Sequence, residues 1–159
     1  MLNFYLLLEK IENEKHGDVH ATLKRLPVKH QKLMNGFKVK FTSNNTLDGD
    51  DEHIGWIYKK KIQISAPWNY GREMVFLHEV AHMVWEKLMT SDLKREWNKL
   101  FKATIKDQIK KSGNMRKKAL NQSPEEIFAM AYATTYAKHM PMTYVNEEWQ
   151  DFIKNKVPH

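Results

Sequence analysis

His78 and His82 stand four residues apart in the run His78-Glu79-Val80-Ala81-His82. On a helix that spacing puts both imidazoles on one face, one turn apart. Two imidazoles so placed reach a single metal ion at ~2.0–2.1 Å. Glu79 adjoins His78 but is rotated off that face, so it approaches a water on the metal and not the metal itself. The pattern His-Glu-x-x-His suits hydrolysis for this reason: zinc lowers the pKa of its bound water towards ~7, and the glutamate takes the proton as a carbonyl is attacked.

Two histidines leave such a site incomplete, because a catalytic zinc has three protein ligands and an open position. The chain contains no cysteine, which removes thiolate ligands and disulfides alike. A metzincin continuation would need Gly at the position of Trp85 and His at that of Leu88, so that class is excluded. A carboxylate from a later helix remains, and Glu125 and Glu126 open one. Helical steps from Glu126 lead to Ala129, Ala133 and Ala137, a smooth stripe that lets this helix pack closely on the motif helix. The same steps from Glu125 lead to the bulky Phe128, Tyr132 and Tyr136. Neighbouring side chains point ~100° apart, so at most one of the two acids is expected to face the histidines. Glu126 is therefore the third metal ligand, with Glu125 the runner-up. A competing role exists, since Ser123 followed by Glu126 is also the pattern of a capping box.

With these residues in place the chain resembles a gluzincin, the zinc peptidase clan that adds a downstream Glu to the two histidines of the motif. The segment Glu126-Ile127-Phe128-Ala129-Met130-Ala131-Tyr132 is similar to the Glu-Phe-Phe-Ala-Glu-Ala-Phe stretch of the anthrax lethal factor-like peptidases, which include the Pro-Pro endopeptidases. The resemblance spans Gly55 to His139 and is specific in the motif and this stretch alone. It implies a peptidase with an active-site helix, a substrate-binding edge strand and a C-terminal helical lobe. Three positions depart from the family. Met130 stands where the family has a second acid, Ala119 where it has an oxyanion-stabilising Tyr, and Val80-Ala81 replaces its Phe-Gly. A donor to the tetrahedral intermediate is then wanted from elsewhere, and Tyr136 and His139 are the named candidates, with Tyr132 and Tyr144 nearby.

The elements that must position these groups are legible in the periodicities. Phe4, Leu7, Leu8 and Ile11 have helical spacing, and a second helix or turn over Asp18–Leu26 is stopped by Pro27. Phe37, Val39 and Phe41 alternate with lysines as in a half-buried strand, and further strands read over Ile54–Tyr58 and Ile62–Ile64. The polar loop between the first two is rich in Asp but lacks the spacing of an EF-hand. The motif helix follows over about Tyr70–Met89, then amphipathic helices over about Ser91–Lys110, Ser123–Met140 and Asn146–Lys154. The expected fold class is α+β, a single zincin-like catalytic domain over 1–159. In it a small antiparallel sheet packs on the N-terminal and motif helices (about 1–89), and a helical lobe (about 90–159) closes the far side of the cleft. A peptide substrate is expected to pair with the strand near Ile62–Ser65, with Trp56, Trp68 and Tyr70 at the rim.

Composition narrows the function. The N-terminal apolar run is short, follows nothing basic and is broken at once by Glu9 and Lys10, so no targeting segment is read. No stretch approaches the ~18 apolar residues of a membrane span, and a cytoplasmic location is expected, with no membrane partner. Net charge is +7, from 26 Lys plus Arg against 19 Asp plus Glu, but the basic residues are scattered, which argues for a solvated surface and against nucleic acid. The leading expectation is thus a Zn2+-dependent metalloendopeptidase acting on a protein or peptide, with His78, His82 and Glu126 on the metal and Glu79 as general base. Two alternatives stand beside it: a catalytically silent zincin-fold protein that binds metal or a partner, and a basic nucleic-acid-binding module with a chance motif.

Overall fold

The computed structural model describes residues 18–41, 55–64, 69–112, 123–138 and 146–159, which form six helices and a three-stranded sheet. Helix α1 (Asp18–Arg25) buries Val19, Thr22 and Leu23 and leads into buried Leu26, the i, i+3, i+4, i+7 stripe of an amphipathic helix. Pro27 closes it, having no N–H to continue the ladder. Pro27 also opens the next helix, α2 (Val28–Leu33), where its carbonyl accepts from Gln31 N at 3.0 Å. The Gln31 side chain returns to the Leu26 carbonyl at 2.7 Å and satisfies an acceptor that the break exposes. The sequence reading treated Pro27 only as a stop, and α2 was not anticipated.

Gly36, at φ +80°, turns the chain into strand β1 (Lys38–Phe41). Strands β2 (Gly55–Tyr58) and β3 (Lys61–Ile64) form a hairpin, closed by Lys59 and Lys60 with φ of 42° and 61°. Two consecutive positive φ values give the turn whose twist matches the flanking strands, here made without the usual Asn-Gly. The strand order is β1-β3-β2. β2 runs antiparallel to β3, with Tyr58 opposite Lys61, whereas β1 runs parallel to β3, with Lys38 opposite Lys61. The expected antiparallel sheet is therefore a mixed one. The alternation of apolar residues fixes which face of a strand is buried but says nothing about its partner. The long connection between β1 and β2 lets β1 cross to the far side of β3 instead of closing a hairpin.

Being central, β3 carries the most deeply buried sheet residues, Ile62 and Ile64. Helix α3 (Asn69–Lys87) packs on β2 and β3 and, most extensively, on helix α5 (Pro124–Tyr136). Its inner surface is Phe76, Leu77, Val80, Ala81 and Val84, all buried. Ala129 and Ala133 of α5 are buried too, so small side chains are present on both members of the α3–α5 pair. Helix α4 (Ser91–Ser112) and helix α6 (Glu147–Asn155) complete the core through Trp97, which meets Phe128, Trp149 and Phe152 with ring centroids 5.4, 6.0 and 5.3 Å away. Offset and edge-on rings at such distances each contribute about 0.5–1.5 kcal/mol beyond area burial. No helix among the described residues is long and apolar enough to cross a membrane.

Candidate metal centre

Burial of Phe76, Leu77, Val80, Ala81 and Val84 turns that side of α3 into the core, leaving His78 and His82 on a flank only partly covered. Their side chains are 25% and 19% exposed, and their rings meet edge to face with centroids 4.9 Å apart. The first turn of α5 faces them. Three contacts hold that turn in place. Ser123 Oγ accepts from Glu126 N at 3.3 Å, the Trp97 indole N–H donates to the Pro124 carbonyl at 2.8 Å, and the Phe128 ring packs on Trp85 of α3 at 5.2 Å. Both acids in this turn sit at the positive end of the helix dipole.

Glu126 bridges the two histidines. Its Oε2 lies 3.0 Å from His78 Nε2 and its Oε1 3.4 Å from His82 Nε2. One ligand atom from each of the three residues falls within 4.8 Å of the others. Tetrahedral ligands at ~2.0–2.1 Å from one ion would be about 3.3 Å apart, so the set fits a single small cation. The Glu126 side chain is thus turned to the histidines, while its backbone N–H donates to the Ser123 cap.

Glu125 was expected to point away from the histidines, and it does not. Its Oε1 is 2.8 Å from His82 Nδ1. The expectation that one acid alone could face the histidines fails because it followed the direction of the Cβ atoms. Each glutamate has two methylenes beyond that atom, and His82 offers nitrogens on opposite sides of its ring. A neutral imidazole carries one N–H, so at most one of the two His82 contacts is a hydrogen bond. His82 Nε2, His78 Nε2 and the Glu126 carboxylate thus converge as a donor set able to hold a metal cation.

Glu79 is 6% exposed, the one buried acid among the described residues. It directly follows His78 on α3. Tyr136 is not brought to the cluster. Ten residues of helix separate it from Glu126, about 15 Å along the axis. Its ring packs on Tyr132 at 4.8 Å and edge-on against His30 at 6.3 Å. Burial pushes the Tyr136 hydroxyl up to about 12, and it has no hydrogen-bond partner among the described residues. Tyr132 is also in this second group: its hydroxyl lies 2.8 Å from His30 Nδ1. His139, Tyr144 and Trp68 lie outside the described residues, as do the side chains of Trp56 and Tyr70.

The strand expected to receive substrate is also corrected. β3 has β1 on one side and β2 on the other, so Ile62–Ile64 has no free edge; Ser65 lies outside the described residues. The open edges among the described strands are those of β1 and β2. The chain matches no protein-family model, no curated protein and no solved structure.

Proposed function

We propose that the chain is a zinc-dependent peptidase of the zincin type. The observation that carries this reading is the convergence of His78, His82 and Glu126, one ligand atom from each within 4.8 Å of the others, on two helices with buried faces. Two imidazoles and one carboxylate also serve iron, and it is the glutamate beside the first histidine of the motif that favours a hydrolytic zinc. A bound zinc ion supplies the Lewis acidity that lets water attack a carbonyl near neutral pH. Around it, Glu79 accepts a proton from the attacking water at its carboxylate and returns it to the leaving amine. Its low exposure keeps bulk water from competing for that proton. Glu126 holds the two imidazoles against α5 and neutralises part of the ion's charge. An extended substrate strand would pair with the outer edge of β1 or β2, which no other strand among the described residues covers.

Metal analysis followed by a peptide-library cleavage assay tests this on the parent and Glu79→Gln proteins. The expected result is about one zinc per chain in both and hydrolysis in the parent alone, since loss of a general base costs typically 10²–10⁴-fold. Equal cleavage by the two proteins would remove Glu79 from the mechanism. A second reading, a zincin-like protein that binds metal without turnover, is favoured by one observation: Tyr136 sits far along α5, packed on Tyr132 and His30. Zinc in both proteins with cleavage in neither selects that reading.

A further inference from the structure

The metal reading accounts for one nitrogen of each histidine and leaves the Glu125–His82 contact without a role. We infer that Glu125 is the positioning residue of the centre: it accepts the Nδ1–H of His82 and so keeps the Nε2 lone pair aimed at the metal. The inference rests on the proposed metal site and adds a residue to it that lies off the ligand set.

Carboxylate oxygens of an ionised Glu only accept, so a 2.8 Å contact to Nδ1 requires the proton on that nitrogen. Imidazole with its proton on Nδ1 has its free lone pair on Nε2. That atom is the one that lies 3.4 Å from Glu126 Oε1, and His82 and Glu126 both belong to the converging trio. Tautomer and ring orientation are therefore set by one contact. The contact is itself well anchored, because Glu125 sits in a helical turn pinned by the Ser123 cap and by the Trp97 N–H on the Pro124 carbonyl. An acid hydrogen-bonded behind a ligating histidine also raises the basicity of the nitrogen on the metal. Glu125 and Glu126 thus divide one task, with adjacent carboxylates meeting opposite sides of the His82 ring.

The test uses the full chain as parent, Glu125→Ala and Glu125→Gln, with His82→Ala and Glu126→Ala alongside. Zinc affinity is read by competition with a chromophoric chelator, and ligand geometry by the visible spectrum of the cobalt-substituted proteins. Glu125→Ala is expected to bind zinc ten- to a hundredfold more weakly than the parent and to change the cobalt spectrum, while the metal-free protein melts at the parent temperature. Glu125→Gln keeps an oxygen that accepts from Nδ1–H, and is expected to recover most of the affinity, to within about threefold of the parent. Parent affinity and spectrum in Glu125→Ala would overturn the inference, and so would a Gln variant as weak as the Ala one. The metal reading fails on different results: no stoichiometric zinc in the parent, or undiminished zinc in His82→Ala and Glu126→Ala.

Discussion

Helix α5 contributes to two histidine clusters, and the contrast between them shows what separates a candidate metal centre from a core packing site. At its start, Glu125 and Glu126 confront His78 and His82, all four side chains partly open to solvent. Further along, Tyr132 and Tyr136 pack on His30, which is fully buried. His30 is satisfied: its Nε2–H donates to the Pro158 carbonyl at 2.9 Å, and its Nδ1 accepts from the Tyr132 hydroxyl at 2.8 Å. The ring's one N–H and its one lone pair each have a partner, and none is left over. Burial, the largest cause, lowers the His30 pKa to about 4, and neighbouring His159 adds to the effect. At the other cluster three ring nitrogens lie against two carboxylates in a partly open site. A buried ring with both nitrogens paired holds the fold together, whereas imidazoles and a carboxylate converging in a partly open site are the donor set a cation needs.

The largest effect that would break this contrast lies at the first cluster. Replacing Glu126 or His82 by Ala should abolish tight zinc binding, measured by equilibrium dialysis, and should leave the melting temperature of the metal-free protein nearly unchanged. These side chains are partly exposed and their contacts with one another stabilise little without the ion. Undiminished zinc in both variants would mean that the cluster is a surface ion-pair network.

At the second cluster the outcomes should be reversed. His30→Ala leaves the Tyr132 hydroxyl and the Pro158 carbonyl without their partner and opens a cavity in the core. Each unpaired buried group costs about 1–3 kcal/mol, so a loss of about 3–5 kcal/mol is expected in denaturant unfolding. Zinc uptake per folded molecule should match the parent. If the His30 variant lost zinc while it remained folded, the two clusters would be coupled through α5 and the contrast would be false.

Legibility in the sequence divides along the same physical lines. The motif helix, the two helices α4 and α6 and the three strands are visible because their apolar positions repeat with the helical or strand period. The convergence of His78, His82 and Glu126 is legible because the four-residue spacing and the alanine stripe restrict which side chains can meet. Pairing is not legible in that way: the lysine-alternating pattern of β1 is the same whether its neighbour is β2 or β3. The end of α5 was expected near Met140 but falls at Tyr136, where Ala137 is extended. Lys138 N donates to Glu73 Oε2 at 3.1 Å, so a distant side chain of α3 captures the backbone there. Glu73 also accepts from Thr22 and Arg25 of α1, and no local pattern announces such a hub. The Glu125 contact escaped for a related reason, since helix geometry gives Cβ directions and not the reach of long side chains.

Acid should sharpen the comparison. In the unfolded chain His30 takes a proton as pH falls through its ordinary value of 6.5, whereas in the fold it stays neutral down to about 4. Between those values the unfolded state binds the extra proton, so the contribution is complete above 6.5 and is lost as pH falls towards 4. The full difference is about 3 kcal/mol. The measurement is the unfolding free energy from pH 7 to 4 for the parent and for His30→Gln, which should have the shallower slope. Parallel slopes would assign the acid sensitivity to other groups.

The smallest expected effect tests how the first turn of α5 serves the metal. Ser123 Oγ caps the helix by accepting from Glu126 N, so Ser123→Ala should cost about 1 kcal/mol of stability. Unlike the other variants, it removes nothing that touches the histidines. Its effect on zinc is therefore a measure of preorganisation. Glu125 and Glu126 both depend on the position of this turn, and the Trp97 N–H still holds the adjacent Pro124 carbonyl when the cap is gone. With that second anchor in place, zinc affinity is expected to fall by less than about tenfold, well short of the loss from removing Glu126 and in the low part of the range for groups supporting a ligand. A fall as large as that of Glu126→Ala would show that the cap, and not the tryptophan, sets the geometry of the acids. A double variant with Trp97→Phe separates the two anchors, because Phe keeps most of the aromatic packing and removes only the N–H. If the anchors share the work, the two losses together should exceed the sum of the single ones.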